Sequence, residues 1–443
     1  MNRIGLILII SLLWNAGNLA AQQDSTWTLE KCINYALEQN IQVRKNKLDN
    51  QRFEANAGQA KAQRYPSLNG SIGQSFSWSK NDLSAGTGFV GSNGSSYSIN
   101  SGVVLFNANR LTNQIKQTDL DIQGGIYTLE TTKESISLSI LNAYLQILYA
   151  EEQVKNSEKQ IESTASQVNL AEERLAMQII SQSDYAQVKS QLASEKLTLA
   201  NAQSQLAIAK VNLMQLMELP VTDNFNIVHP DLSGSINQNR KPDVKSVYET
   251  ALKIKPQIKN AQVNKEISAL DEQIARSNYF PTLSASAGLS TSYSYLGSLT
   301  TNDPFFDQLD KGIRPSAGLS LSIPVYQKKQ VKTSVTLAKI GYDDAVLSET
   351  DTKNQLRKNI EQACQDVTSA QIEYEASQTN YNATLESSML SDEKFRQGII
   401  NSVDYLVSKT TLILAESNFL QSKYNLIFSY KVLDFYEGIP LTL

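Results

Sequence analysis

The stretch ILNAYLQILYAEEQVKNSEKQIESTASQVNLAEERL, from Ile140 to Leu175, places an apolar residue at every seventh position: Ile140, Ile147, Val154, Ile161, Val168 and Leu175. Three positions after each of the first five stands a small residue: Ala143, Ala150, Ser157, Thr164 and Ala171. A seven-residue repeat of large and small side chains specifies a long helix packed closely along a narrow seam. Both tracks return 220 positions later, as Ile360, Val367, Tyr374, Tyr381, Ser388 and Phe395, and as Ala363, Ala370, Ser377, Thr384 and Ser391. Two heptad tracks kept in register over that distance make the chain a tandem duplication of a long coiled-coil unit.

Working outward, the first long helix is predicted from Asn107 to about Met177, a rod of roughly 105 Å at 1.5 Å per residue. A break over Gln178–Ser183 precedes a second helix reaching Met217, whose seam is Leu192, Leu199, Leu206 and Leu213, alternating with Val188, Ala202, Ala209 and Leu216. Long helix, tight turn and returning helix make an antiparallel hairpin. Upstream, Thr28 to Tyr65 reads as one helix ended by Pro66, which lacks an amide donor and disfavours helical geometry in the residue before it.

After Pro66 the period changes from 3.6 to 2. Leu68, Ile72, Phe76 and Trp78 alternate with Asn69, Ser71, Gly73, Ser75 and Ser77; a Gly/Ser/Asn-rich loop covers Asn81–Gly94. A return strand follows, with Tyr97, Ile99, Val103 and Leu105 on one face. Strands of about eleven residues suffice to cross a bilayer at a tilt, and Phe76, Trp78 and Tyr97 are expected at the loop end as an interfacial aromatic girdle. The second copy repeats the plan. A helix spans Val244–Asn278, Pro281 stands where Pro66 did, and Leu283 to Tyr295 alternates with serines, placing Tyr293 and Tyr295 in the girdle. The strand back carries Ala317, Leu319, Leu321, Ile323 and Val325, and the last helix carries Leu412, Phe419, Leu426 and Leu433.

The expected organisation is a signal peptide over 1–21, a first repeat over 22–220 with strand pair 67–106 and hairpin 107–217, a linker over 221–241, and a second repeat over 242–443 with strand pair 281–326 and hairpin 327–437. The signal peptide rests on Arg3, the apolar run Ile4–Leu13 and small residues at Ala16, Gly17, Ala20 and Ala21. The chain of 443 residues has a net charge of −4, which points away from nucleic acid. Its single histidine, His229, reads as a surface residue of the linker, and Cys32 and Cys364 read as packed small residues. No nucleophile elbow, phosphate loop, zinc-protease spacing or Cys-x-x-Cys occurs. The expectation is therefore a non-enzyme without cofactor or resident metal, its acidic residues solvated on helix surfaces.

Each strand has one apolar and one Ser/Gly/Asn face. In a bilayer these meet lipid and a water-filled lumen. Four strands cannot close a barrel, and open edges are not tolerated in hydrocarbon, so the barrel is expected to be shared between chains. The fold class is mainly α with a membrane β-barrel contribution.

This organisation resembles the outer-membrane efflux ducts of the TolC type over the whole mature chain. The sharpest motif is the hairpin turn, Gly398-Ile399-Ile400-Asn401-Ser402-Val403-Asp404; its first copy, Gln178-Ile179-Ile180-Ser181-Gln182-Ser183-Asp184, departs from the family where glycine is usual. The resemblance implies a homotrimer, with twelve strands in an outer-membrane barrel and twelve helices in a periplasmic tube. It also implies partners: a periplasmic adaptor, an inner-membrane pump of RND or ABC type, and outer-membrane lipid.

By that resemblance Gln178, Ile179, Ile180, Gly398, Ile399 and Ile400 form the adaptor-docking tip; the alternative is that they only close the turn. Asp184, Phe395 and Asp404 fall at the periplasmic gate, where the aspartates either form an acidic ring or cap the return helices. Where the family often has a tyrosine and an arginine this chain has Phe395 and Ile400, so apolar packing is expected to replace those latches. The implied function is a passive exit duct for multidrug efflux, metal efflux or type I protein secretion. The rival is an exported periplasmic coiled-coil structural or adaptor protein.

Overall fold

The computed structural model describes residues 26–80, 89–222, 224–232, 241–296 and 303–443. The signal peptide expected over 1–21 and the linker residues 233–240 lie outside them. The first copy comprises β1 (Thr26–Trp27), α1 (Leu29–Gln39), α2 (Ile41–Ala62), β2 (Ser67–Lys80), β3 (Phe89–Phe106), α3 (Arg110–Ala176) and α4 (Gln182–Leu216). After β4 (Asn226–Ile227) the second copy runs α5 (Val244–Ile254), α6 (Pro256–Ser277), β5 (Thr282–Leu296), α7 (Phe305–Lys311), β6 (Arg314–Ser322), α8 (Gln330–Arg396) and α9 (Ser402–Glu437). The chain divides into two compact units, one from Met1–Asn46, Leu129–Pro256 and Lys353–Leu443, the other from Lys47–Thr128 and Gln257–Thr352.

The duplication is visible in the backbone as well as in the heptads. Left-handed φ values occur at Ala108, Asn109, Gln178 and Glu218, and again at Lys328, Lys329, Gly398 and Gly438, each 220 positions on. Only the last two are glycines, so the first copy holds the same turns with side chains that disfavour them.

The helix expected over Thr28–Tyr65 is interrupted. Asn40 takes φ −57° and ψ 130°. Its Oδ1 accepts from the amide of Gln42 at 2.9 Å, and its Nδ2 donates to the Leu216 carbonyl at 3.1 Å. This asparagine opens one helix and satisfies an orphan carbonyl at the end of another. The second copy breaks at the equivalent place by different chemistry. Pro256 holds Lys255 extended, and the buried Lys255 ammonium lies 3.2 Å from Glu134 and over the Phe435 ring. The linker is also more ordered than expected, since β4 pairs in parallel with β1.

In the unit holding the hairpin turns, Ile140, Leu141, Tyr144, Ile147 and Leu148 pack with Cys32, Ala36, Leu213, Met217 and Ile427. The Tyr144 hydroxyl lies 2.5 Å from the Val228 carbonyl and 3.2 Å from that of Trp27, beside both short strands. Both cysteines are buried and free, and burial pushes the Cys32 thiol up to about 12.

The other unit carries an antiparallel sheet of order β2-β3-β5-β6. Three of its strands, β2, β3 and β5, outrun the expected eleven residues, and β3 begins at Phe89, inside the segment read as loop. Conversely β6 stops at Ser322, short of Ile323 and Val325. Direct cross-strand partners share a face. Ile72, Tyr97 and Thr291 therefore lie in one row, and Leu283 and Leu321 in another. A bulge between Val104 and Phe106 hands the apolar face from Val103 to Phe106, leaving Leu105 out of register. The opposite face is a ladder of small polar groups, with hydroxyl pairs Ser71–Ser98 at 2.7 Å and Ser77–Ser92 at 2.6 Å.

Register moves one expected girdle residue. Tyr97 pairs with Ile72, in the middle of β2, while Phe76 and Trp78 do stand near the loop end. Phe89, opposite Lys80, joins them there. Tyr295 reaches the same level, two strands from Phe76 through Asn93, whereas Tyr293 lies one row lower beside Ser95.

Candidate functional site at the hairpin turns

The two turns are built alike and hold each other. After α3, the Ile179 amide bonds back to the Arg174 carbonyl at 2.9 Å; after α8, the Ile399 amide bonds to that of Lys394 at 2.8 Å. This is the six-to-one closure of a helix C-terminus, and it requires a left-handed residue just before, here Gln178 at φ 60° and Gly398 at φ 75°. The return helices then start on side-chain caps. Ser181 and Asp184 form a reciprocal capping box, and the Asn401 carbonyl oxygen accepts from the Asp404 amide at 2.8 Å. The N-caps are thus Ser181 and Asn401, and the aspartates expected at that position sit three residues further on.

Between the turns lies a cleft of about 260 Å3, lined by Ile179, Ile180, Asp184, Phe395, Gly398 and Ile400 among others. Of the other residues expected here, Gln178, Ile399 and Asp404 are exposed and outside that lining. Ile179 and Ile399 are each 65 % exposed, whereas Ile180 and Ile400 are half-buried. Ile400 packs against Val188, Phe395 and Tyr405. Phe395 stacks on Tyr405 with ring centroids 4.6 Å apart and planes 12° from parallel. Phe395 is therefore a packed residue of the turn region.

Polar contacts made by Arg174 and Ser402 cross from one hairpin to the other at the turns. Arg174 donates to the carbonyls of Phe395, at 3.1 Å, and Arg396, placing a cation at the C-terminal end of α8. Ser402 donates to Asp184 at 2.7 Å and to Gln187 at 2.7 Å as alternative acceptors. The hydroxyls of Ser181 and Ser402 hold the Asp184 carboxyl below the usual carboxylate range. Apolar packing at Phe395 was expected to stand alone; an arginine is present, supplied by the first hairpin.

The Ser402 contact opens a row that sequence reasoning missed. Ser402, Lys409, Glu416 and Lys423 recur at seven-residue intervals on α9. All four meet the first hairpin: Lys409 pairs with Glu195 at 3.4 Å and bonds Thr164, Gln160 reaches Glu416 at 3.5 Å, and Lys423 reaches Glu152 at 3.1 Å. Lys409 and Glu195 are buried, which corrects the reading of acidic residues as uniformly solvated. Burial lowers the Lys409 ammonium pKa, only partly countered by Glu195. The signal for Glu195 lay in the heptads, since it fills the vacant place between Val188 and Ala202 on an otherwise apolar track.

No group of three or more His, Cys, Asp or Glu able to hold a metal occurs among the described residues. His229 is largely exposed, with Nε2 3.1 Å from Glu151. No helix among the described residues is long and apolar enough to cross a membrane.

A family model described as outer membrane efflux protein matches residues 32–218 and 247–436, one span in each copy. Outer membrane protein TolC of Escherichia coli is 24 % identical over 313 residues, covering 67 % of this chain and 60 % of that protein. Toxin and drug export protein A of Aggregatibacter actinomycetemcomitans is 20 % identical over 313 residues, covering 68 % of this chain and 63 % of that one. The chain thus spans less than two thirds of the length of either relative. Among solved structures, CusC superposes with a TM-score of 0.78 at 19 % identity, covering 92 % of each chain. The Campylobacter jejuni CmeC outer membrane channel gives 0.76 at 16 %, covering 93 % of this chain and 85 % of that one. The open state of the Neisseria gonorrhoeae MtrE channel gives 0.64 at 18 %, covering 93 % and 88 %.

Proposed function

Because this chain belongs to the outer membrane efflux protein family, we propose that it is the exit duct of a tripartite efflux or secretion system. Family membership makes it an outer-membrane efflux channel rather than an enzyme, and it removes the rival of a soluble periplasmic protein. The finer reading is an assembly of three copies. The four-stranded sheet has two free edges, β2 and β6, and an open edge is untenable in hydrocarbon. Three copies joined edge to edge give twelve strands, with the Ser/Gly/Asn ladder facing water and the apolar face meeting lipid.

The observation that carries the docking proposal is the pair of exposed isoleucines, Ile179 and Ile399, at equivalent places on the two turns. Apolar side chains left in water on a narrow end favour cover by a partner. That partner is a periplasmic adaptor, and the cleft between the turns is the recess offered to it. Behind the recess, the polar row on α9 joins the two hairpins. A row of hydrogen bonds and ion pairs can exchange partners with less loss than an interlocked apolar seam, so adaptor binding would widen the duct by shifting α9 along it. Asp184 and Asp404 act in this scheme first as helix-start residues, and in three copies would add negative charge near the opening.

Transport through such a duct is passive, and the energy comes from an inner-membrane pump of RND or ABC type. Cargo follows the pump. The A. actinomycetemcomitans relative is named for toxin and drug export, so drugs or an exported protein toxin are the first classes to try.

A photo-crosslinking residue at Ile399, in the native cell, tests the reading. Capture of an adaptor supports docking at the turns. Capture solely of other copies of this chain would make the turns a self-packed closure.

A further inference from the structure

Beyond β6 the sheet has an incomplete edge. β6 pairs with β5 only as far as Ser290 opposite Arg314, while β5 runs on to Leu296. The remaining edge of β5 is met by the short helix α7. The Ser294 amide donates to the Gln308 side-chain Oε1 at 3.0 Å, and the Thr291 hydroxyl donates to the Leu309 backbone carbonyl at 2.6 Å. Gly312, at the end of α7, lies so close to β5 that a Cβ there would come within 3.0 Å of the Thr291 hydroxyl and 3.5 Å of the Ser292 carbonyl. An ion pair between Lys311 and Asp303, at 3.3 Å, closes the base of the helix.

The helix leans to one side of that edge. Thr291 and Tyr293 project from the apolar face, since their partners in β3 are Tyr97 and Ser95, and the Phe305 ring packs on Tyr293 with centroids 5.0 Å apart. Phe305, Leu309 and Phe306 fall within one arc of α7 at 100° per residue; Asp307, Asp310 and Lys311 fill the other side. Phe305 and Leu309 are half-buried toward the sheet, whereas Phe306 is 79 % exposed and Ile313 is 52 % exposed. Phe306 stands beside Phe305, with ring centroids 5.3 Å apart, and so extends outward from the apolar face that carries Tyr293.

We propose that α7 is an interfacial anchor, lying on the outer-leaflet surface of the bilayer with Phe306 and Ile313 in lipid and its aspartates and Lys311 among the headgroups. A short amphipathic helix with an aromatic apolar side takes this position in membranes. The helix does two things at once. It covers the Ser294 backbone amide of β5, which lies beyond the end of β6, and it fixes how deep that end of the barrel sits. The occupant is lipid rather than a second copy because Phe306 extends the face already turned to lipid, beyond the short edge that β6 offers for pairing. This rests on the reading of the sheet as a bilayer-spanning wall.

The test uses the full mature chain reconstituted in phosphatidylcholine vesicles carrying bromine near the glycerol end of the acyl chains. Trp27 and Trp78 are replaced by phenylalanine and Phe306→Trp is added as the sole tryptophan; a companion protein keeps Trp78 alone. The expected result is that bromolipid quenches both probes and aqueous iodide quenches neither strongly. Quenching of Trp78 by bromolipid with the Phe306→Trp probe quenched by iodide overturns the anchor and leaves the bilayer wall standing. A Phe306→Trp probe protected from both quenchers, with Trp78 quenched, also overturns it and makes a second copy the occupant. If bromolipid reaches neither probe, the bilayer reading of the sheet fails and the anchor with it.

Discussion

The Ser402 hydroxyl meets the Asp184 carboxylate at 2.7 Å, joining the first turn of each return helix across a separation of 218 residues. Asp184 also completes the capping box with Ser181, so one carboxylate both starts its own helix and holds the other hairpin. Its pKa is depressed by those hydroxyls. A depressed carboxylate contributes stability that is present above the ordinary carboxylate range and lost as pH falls through the folded value. Asp184 is half-buried in a turn at the end of the hairpins, so the effect is local fraying of the turns rather than global unfolding. Hydrogen exchange of residues 179–184 and 399–404 should therefore accelerate in acid, and Asp184→Asn or Ser402→Ala should show fast exchange already at neutral pH. Unchanged protection in both variants would mean that the contact does not couple the turns.

Lys409 and Glu195 carry the larger energetic stake because both are buried. Removing one partner leaves a charge without compensation in a low-dielectric site, a loss of about 3–5 kcal/mol, whereas replacing both with apolar residues of similar volume is often near neutral. Lys409→Met alone should therefore destabilise the purified assembly in denaturant, and Lys409→Met with Glu195→Leu should recover much of the loss. Additive effects of the two substitutions would show that the pair is not coupled. In planar bilayers the double variant, lacking an exchangeable polar partner between α9 and the first hairpin, should also respond less to added adaptor than the wild type.

The turns offer a paired test within one molecule. Gln178 and Gly398 occupy the same left-handed position, 220 residues apart. A side chain there costs on the order of 1 kcal/mol relative to glycine, reduced somewhat by the extra freedom glycine has when unfolded. Gln178→Gly should be neutral to stabilising, and Gly398→Gln destabilising by about 1 kcal/mol. Denaturation midpoints of the two variants measure this directly. Stabilisation by Gly398→Gln would show that the left-handed turn is not what selects glycine.

Much of the molecule was legible because its physics is periodic. Heptads from Ile140 to Leu175 and their echo at Ile360 required long packed helices, and the change to alternation after Pro66 and Pro281 required strands. What escaped was aperiodic or depended on register. Asn40 breaks a helix through two side-chain hydrogen bonds, one to a carbonyl 176 positions away, which no local pattern announces. Tyr97 moved to mid-strand because pairing with β2 extends into residues whose Gly/Ser/Asn content reads as loop. Glu195 was hidden by its charge, although its heptad place was vacant in plain view. At the turns the exposed pair, Ile179 and Ile399, was legible as a motif, while Arg174 and Ser402 were not, because their partners lie on the other copy.

The last prediction separates docking from turn closure, using two adjacent isoleucines. Ile399 is 65 % exposed, while Ile400 packs with Phe395, Tyr405 and Val188. An exposed position away from such packing changes stability by no more than about 0.5 kcal/mol, so Ile399→Ser should leave denaturation and outer-membrane abundance unchanged. Deleting a fully buried isoleucine costs about 2–5 kcal/mol, and half-buried Ile400→Ser should fall at the lower end of that range. If the turns dock an adaptor, Ile399→Ser should reduce adaptor capture and raise sensitivity to exported toxic compounds at normal protein levels, and combining it with Ile179→Ser should deepen the defect. Ile400→Ser should impair export through loss of folded protein. A stability loss in Ile399→Ser equal to that of Ile400→Ser would make the exposed isoleucine part of the turn's own closure, and the adaptor surface would have to lie elsewhere on the hairpins.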